Sequence, residues 1–249
     1  MKLFAIGILF FTAVTLTAGK INIAVAANVS YAIDELKAEF AKTNPGTKVL
    51  VTLGSSGKLT AQIKNGAPYG LFMSANMKYP EILRRDGIAI TEPIVYAQGG
   101  LAYLSAKPQD FSKDIALTTS KKIGKIAIAN PKTAPYGKAA VEAMKNAKVY
   151  ERVKTKFVYA ESISQTVAYA VTAADLGFIA KSSLYSSKMS AYKENVHWAP
   201  VDPTLYTPIK QGIVLLKNSE ANKAYKDFYD FILGSKAKEI FKKYGYIIQ

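Results

Sequence analysis

Strand and helix patterns alternate along the chain, and this alternation constrains the fold more than any other feature. Short β-rich runs over 20–26, 48–53 and 125–129 are each followed by apolar residues at helical spacing. This order is typical of parallel strands, because a parallel connection is long enough to contain a helix that covers the sheet. We therefore predict an α/β fold built from mainly parallel sheets flanked by helices.

Two β-like runs, 95–105 and 206–216, are longer than the others. Each has glycine near its middle, Gly99-Gly100 in the first and Gly212 in the second. We interpret the runs as two connections between lobes, so that lobe 1 comprises 20–97 and 211–249 and lobe 2 comprises 98–210. A single sheet with two long edge strands is the alternative.

The N-terminus has the pattern of an export signal. Lys2 precedes a nearly continuous apolar run over 3–16, and Thr17-Ala18-Gly19 offers small residues for cleavage. We predict a signal peptide over 1–19 and a soluble, periplasmic mature protein. An uncleaved anchor or a buried helix is the alternative.

The composition excludes several kinds of chemistry. The 249 residues include no cysteine and one histidine, His197, which excludes disulfides, thiolate catalysis, Cys-ligated zinc and His-rich metal sites. A formal net charge of +15 favours an anionic partner. The lysines are spread along the chain, with small clusters at 121–125 and 236–243 that we interpret as solvated faces. Because the predicted export also argues against it, we predict no nucleic-acid binding.

Four small, polar or glycine-rich loops each follow a predicted strand and precede a predicted helix. They span residues 26–30, 54–58, 130–137 and 160–164. Backbone N–H groups at helix N-termini lack partners within the helix and bind anions. For any single loop, helix capping by Ser or Asn is the alternative. Two loops from each predicted lobe favour one shared anion site.

Few charged residues occur in these loops. Only Lys58, Lys132 and Glu161 are ionic. A site of neutral donors without a carboxylate favours a fully deprotonated oxyanion, because a protonated one would leave its proton without an acceptor. Glu161 is the residue that could change this conclusion.

Five motifs in order resemble one family over residues 20–249. The chain is similar to the periplasmic molybdate-binding proteins of ABC importers through Ala-Ala-Asn (26–28), Gly-Ser-Ser-Gly (54–57), Asn-Gly-Ala-Pro-Tyr (65–69), Asn-Pro-x-x-Ala-Pro-Tyr-Gly (130–137) and Asp-Leu-Gly-Phe-Ile (175–179). The resemblance implies a two-lobed class II periplasmic-binding-protein fold that closes on molybdate or tungstate in the cleft.

The resemblance also implies which residues bind the anion. Matched motif by motif, the contacts lie at Asn28, Ser56, Tyr136 and Ile163, with the backbone N–H as donor at the last two. Ala180 stands where some members have a tyrosine hydroxyl, so that contact is expected to be absent. The implied protein is a monomeric, non-enzymatic receptor that delivers its anion to a membrane-embedded ABC permease and uses neither a cofactor nor a free metal cation.

Two other functions remain open at this point. A sulfate-type oxyanion receptor would use the same kind of site, and the sequence provides no cavity size to separate the two. A serine hydrolase could use Ser55 and Lys58, which fit the pattern S-x-x-K. Neither S-D-N nor K-T-G accompanies that pattern, which weakens the hydrolase hypothesis.

Overall fold

The computed structural model describes residues 19–248 and contains two five-stranded sheets covered by helices. The predicted signal peptide lies outside the described residues apart from Gly19, which begins the first strand. The strands are β1 Gly19–Ala26, β2 Thr47–Gly54, β3 Leu71–Met73, β4 Ile94–Gly99, β5 Leu101–Leu104, β6 Ile126–Ala129, β7 Phe157–Ala160, β8 Leu176–Ala180, β9 Trp198–Pro200 and β10 Ile209–Leu215. The α-helices are α1 Ile33–Thr43, α2 Ser56–Lys64, α3 Lys78–Arg85, α4 Pro135–Asn146, α5 Tyr150–Val153, α6 Ile163–Thr172, α7 Lys223–Leu233 and α8 Ser235–Lys243.

Both sheets are mixed and share one topology. The first has the order β2-β1-β3-β10-β4 and the second β7-β6-β8-β5-β9. In the first sheet β1 pairs in parallel with β2 and β3, whereas β10 is antiparallel to β3 and β4. In the second, β6 is parallel to β7 and β8, and β5 is antiparallel to β8 and β9. The predicted α/β fold is confirmed, and the antiparallel half of each sheet contains the strands that connect the two.

The run over 95–105 divides between the two sheets. β4 ends at Gly99 in the first sheet, and β5 begins at Leu101 in the second. The chain returns when β10 joins the first sheet after β9 of the second. The single-sheet alternative is therefore wrong, while the lobe boundaries at 97/98 and 210/211 stay a prediction.

Each sheet has its own apolar core. Phe40 of α1, Phe228 of α7 and Phe241 of α8 are fully buried against the first sheet. On the second sheet, Tyr103 and Phe178 pack edge to face with ring centroids 5.1 Å apart. Buried aromatic pairs of this kind stabilise a core beyond the area that they remove from water. Each half of the molecule thus has the packing of a separate structural unit.

The helices are short. The longest α-helix of the described chain, α4, has 12 residues, compared with about 20 needed to cross a bilayer. Over residues 19–248, no helix combines the length and the apolar character of a membrane span.

The two glycines between the sheets differ in the room around them. A Cβ at Gly99 would overlap Tyr136 Oη and lie 2.7 Å from Gln211 Nε2, whereas the nearest atom to a Cβ at Gly100 is Tyr206 Oη at 3.7 Å. We expect Gly99→Ala to lower the free energy of unfolding by about 1–3 kcal/mol through overpacking. Gly100→Ala should leave it within about 0.5 kcal/mol, the range typical of substitutions without a steric conflict. Denaturant unfolding of both variants measures this, and equal stabilities would contradict the close approach of Tyr136.

Candidate functional site

A small cavity lies where helix N-termini from both sheets meet. It is lined by the segments that follow β1, β2, β3, β6 and β7, namely Ala26, Ala27, Asn28, Gly54, Ser55, Ser56, Ala75, Ala134, Pro135, Tyr136 and Ile163. The cavity volume is about 10 Å³, and about 190 Å³ around it is free of protein atoms with open solvent included. Pockets for drug-sized organic ligands measure roughly 300–1,000 Å³, so the cavity leaves room only for a ligand of a few atoms.

The four residues predicted as anion contacts all line this cavity. Asn28, Ser56, Tyr136 and Ile163 are buried, and each is the first or second residue of a helix. In the part of the chain that the structure describes, none of their backbone N–H groups donates to a protein atom. Four donors at the positive ends of helix dipoles thus converge on one small space. That they contact an anion stays a prediction.

Helix capping accounts for only one of the four loops. Ser162 Oγ accepts from Gln165 N at 3.3 Å and so caps α6. Ser55 precedes α2 but makes no capping hydrogen bond, and the residues before α4 and before the 3₁₀ helix Ala27–Tyr31 are alanines. Capping alone therefore does not explain the polar residues of the cavity.

Two serine hydroxyls in the cavity differ in their hydrogen bonds. Ser56 Oγ accepts from Ala75 N at 2.9 Å, which leaves its own proton free to be donated. Ser55 Oγ is buried and has no partner among residues 19–248. A buried hydroxyl without a partner costs about 1–3 kcal/mol. A ligand with acceptor oxygens would remove this cost.

Among residues 19–248, no charged side chain lines the cavity. Lys58 Nζ donates to Glu161 Oε1 at 2.6 Å, and both side chains are at least half exposed. Glu161 therefore does not place an acceptor in the cavity, and Lys132 is exposed. Lys58 bonds to Glu161, and the Ser55 hydroxyl has no hydrogen-bond partner among the described residues. Ser55 and Lys58 therefore lack the nucleophile–base contact that a serine hydrolase needs.

Several contacts cross the cavity from one sheet's elements to the other's. Gly57 N, in the first turn of α2, donates to Thr133 O in the loop before α4 at 2.9 Å. Tyr79 Oη lies 3.5 Å from the same carbonyl, and the Lys58–Glu161 ion pair spans the same side. The two halves of the cavity are thus in contact, as in a closed binding cleft.

A buried polar network behind the cavity was missed by the sequence reasoning. Asn28 Nδ2 donates to Gln211 Oε1 at 2.8 Å and to Tyr246 Oη at 3.0 Å. Gln211 Oε1 also accepts from Tyr96 Oη at 2.8 Å, and Gln211 Nε2 donates to Tyr136 Oη at 3.2 Å. Gln211 therefore joins two predicted site residues that belong to different sheets. Its one sequence signal is a polar residue directly before the apolar stretch 213–216 of the β-like run 206–216.

The tyrosines of this network are neutral at ordinary pH. Burial raises the pKa of Tyr96 and of Tyr136 well above the usual value, and neighbouring tyrosines add to the effect. Burial likewise raises the pKa of Tyr246 to about 12. Because each phenol keeps its proton, no phenolate opposes an anion in the cavity.

Other parts of the described chain fit a ligand site less well. A wider groove lies near residues 105–125 and 171–175, at the ends of β6 and β8 that face away from the cavity. In open sheets with parallel strands, ligands bind at the opposite ends, where helix N-termini point. Residues 19–248 contain no group of three or more His, Asp or Glu side chains that could hold a metal ion.

The chain is similar to known bacterial binding proteins over most of its length. A family model described as bacterial extracellular solute-binding protein matches residues 21–247. The molybdate-binding protein ModA of Azotobacter vinelandii is 36% identical over 93% of this chain and 91% of its own. ModA of Rhodobacter capsulatus is 36% identical over 98% of this chain and 95% of its own. A solved periplasmic molybdate-binding protein of Azotobacter vinelandii superposes with a TM-score of 0.83 at 32% identity, covering 92% of this chain and 99% of that one.

Because Ser56 and Ser55 differ in their hydrogen bonds, we expect their alanine variants to differ in the free energy of unfolding when no anion is present. Ser56→Ala leaves the N–H of Ala75 unpaired and should lower the free energy of unfolding by about 1–3 kcal/mol. Ser55→Ala removes a hydroxyl that has no partner and should leave stability unchanged or raise it. Thermal unfolding of the anion-free variants compares them, and an equal loss in both would contradict these hydrogen-bond assignments.

Proposed function

This chain belongs to the bacterial extracellular solute-binding protein family, and from that premise we propose that it captures molybdate for an ABC importer. Solute-binding proteins are transport receptors and not enzymes, and they work outside the cytoplasm. The names of two relatives, each 36% identical over more than nine-tenths of this chain, support molybdate as the ligand. Molybdate is then cargo that the protein transfers, not a cofactor.

The observation that carries the proposal is the neutral cavity between helix N-termini. Four backbone N–H groups and the hydroxyls of Ser55 and Ser56 surround about 190 Å³ without a charged side chain. Hydrogen bonds to a charged group contribute about 1.5–3 kcal/mol each, so several of them together offset the desolvation of a small dianion. An oxyanion with acceptor oxygens on every side matches donors that come from both sheets.

The proposal extends to the binding mode. Asn28 and Ser56 bind the anion from the first sheet's side, while the N–H groups of Tyr136 and Ile163 bind it from the second. The lobes, 20–97 with 211–249 and 98–210, close around the ion. Tungstate, with the same tetrahedral shape and charge, binds in the same way.

The proposal also extends to where and with what the protein acts. A signal peptide over 1–19 directs the chain to the periplasm, where it works as a monomer. The closed form then delivers the anion to the membrane-embedded permease, because ligand binding shifts the population toward the closed surface that the permease contacts.

Thermal melting with different oxyanions tests the proposed ligand. A ligand at 100 times its dissociation constant adds about 2.7 kcal/mol to the free energy of unfolding. We expect molybdate and tungstate to raise the melting temperature and sulfate and phosphate to have little effect. Sodium chloride at matched ionic strength is the control, because a chain with net charge +15 also attracts anions without a site. An equal shift with sulfate would favour a sulfate-type receptor, and no shift with molybdate would refute the proposal.

The substitution Gly57→Ala tests closure around the anion. A Cβ at residue 57 would lie 2.6 Å from Tyr79 Oη and 3.0 Å from the backbone of Thr133, so the contact across the cavity must open. We expect the molybdate affinity to fall about tenfold, roughly 1.4 kcal/mol. Without anion the melting temperature should not fall, because Ala favours a helix over Gly by about 1 kcal/mol.

Calorimetric titration of Gly57→Ala measures this, with Lys58→Ala as the matched control. The control removes the exposed ion pair to Glu161 without adding atoms and should cost no more than about 1 kcal/mol. Full affinity in Gly57→Ala would show that the Gly57–Thr133 contact does not belong to the bound form.

A further inference from the structure

The side chain of Asn28 has the wrong polar atom free for an anion. Both hydrogens of its Nδ2 are used, by Gln211 Oε1 at 2.8 Å and by Tyr246 Oη at 3.0 Å. Asn28 Oδ1 is buried and has no hydrogen-bond partner among the described residues. A lone acceptor oxygen repels a deprotonated oxyanion. The Asn28 side chain can therefore bind such an anion only after its amide has turned over.

Gln211 determines whether that turn is possible. If Asn28 turned alone, its Oδ1 would face Gln211 Oε1, and two acceptors would meet at hydrogen-bond distance without a proton between them. Gln211 is fully buried on β10, so solvent cannot separate the two oxygens. If the Gln211 amide turns as well, its Nε2 donates to Asn28 Oδ1 and the conflict disappears.

The oxygen atoms of the surrounding hydroxyls can keep their positions in the turned arrangement, because only the directions of their protons change. Tyr136 Oη lies 3.2 Å from the amide end of Gln211 that becomes Oε1, and it donates its proton there. Tyr96 Oη accepts from the new Nε2 and donates to Ser74 O at 3.4 Å. Because burial raises the pKa of both phenols, each has a proton to give at neutral pH.

Both the backbone oxygen of Asn28 and its turned side-chain oxygen keep a hydrogen-bond donor. Tyr246 Oη, which donates to Asn28 O at 2.8 Å, redirects its proton to the turned Oδ1 at 3.0 Å. Ser182 Oγ continues to donate to Asn28 O at 3.1 Å. Every polar atom of the network then has a partner except Asn28 Nδ2, whose hydrogens are free for the anion.

We propose that Gln211 is a positioning residue for the anion site, and that anion binding selects the arrangement in which the amides of Asn28 and Gln211 have both turned over. Asn28 Nδ2 then donates to the anion, while Gln211 Nε2 holds Asn28 Oδ1 and Tyr136 holds Gln211. The inference rests on the proposed function, because it takes a deprotonated oxyanion as the ligand. It adds a residue outside the cavity that sets how well the site binds.

A double-mutant cycle tests whether Gln211 acts through Asn28. The variants are Asn28→Ala, Gln211→Met and the double variant, each titrated with molybdate by calorimetry. Loss of one hydrogen bond to a charged group corresponds to about tenfold or more in affinity. We expect Gln211→Met to weaken binding by about this factor in the wild-type background and to have no effect in the Asn28→Ala background. Gln98→Met is the matched control, a glutamine on the neighbouring strand β4 with no side-chain hydrogen bond among the described residues, and should bind as the wild type does.

Three outcomes of the cycle would overturn the inference. A Gln211→Met effect that persists in the Asn28→Ala background would mean that Gln211 only supports the packing. Unchanged affinity in Asn28→Ala would mean that its side chain does not bind the anion. Either result leaves molybdate binding by the wild type, and so the proposed function, in place. A wild-type protein that binds no molybdate would overturn both.

Nuclear magnetic resonance of the ¹⁵N-labelled wild type tests the turn directly and does not depend on any variant folding. We expect the Overhauser contacts of the Gln211 Nε2 protons to move from the Tyr136 ring to the Tyr96 ring when molybdate is added. The side-chain amide signal of Asn28 should shift at the same time. Contacts that remain on Tyr136 with molybdate bound would refute the turn.

Discussion

The structure depends on backbone N–H groups that its helices leave unpaired. Every helix begins with donors that have no partner inside the helix, and here four helices begin at one cavity. The packing of the two sheets places Asn28, Ser56, Tyr136 and Ile163 around a space of about 190 Å³. Unpaired donors in a buried space are costly unless something accepts from them. A small ligand rich in acceptor oxygens would remove this cost, which is why we propose an oxyanion for this cavity.

Contacts between elements of the two sheets hold these helix N-termini close together. Glycine at residue 57 lets α2 approach the loop before α4 closely enough for a backbone hydrogen bond. Glycine at residue 99 makes room for the Tyr136 side chain at the point where the chain passes from one sheet to the other. The residue whose N–H faces the cavity is thus anchored by its side chain against the connecting strands. A change in the angle between the sheets would move the donors, so the site and the connection are mechanically linked.

Charge and polarity are separated in this molecule. The chain has a net charge of +15, and the ion pairs of the described residues lie at the surface, where pairs such as Lys58–Glu161 contribute little to stability. The cavity and the network behind it are neutral, with protonated phenols and two amides. A positive surface raises the local concentration of anions, while the cavity presents neutral donors. The amide turn that we propose for Asn28 and Gln211 would pair the one acceptor that this network leaves without a partner among the described residues, Asn28 Oδ1.

The sequence by itself determined the alternation of elements and the composition of the loops. Strands and helices follow from local periodicity, so β1, β2 and β6 were predicted near their observed bounds, each with a helix after it. The loops after those strands were predicted as anion-binding because their small and mostly uncharged residues are visible in the chain. The mixed character of the sheets and the position of β9 depend on pairing between distant segments, which periodicity does not contain. Only the tertiary structure decided that Gln211, Tyr96 and Tyr246 lie behind Asn28, because buried polar residues find their partners across many tens of residues, and that Glu161 turns to Lys58 and away from the cavity.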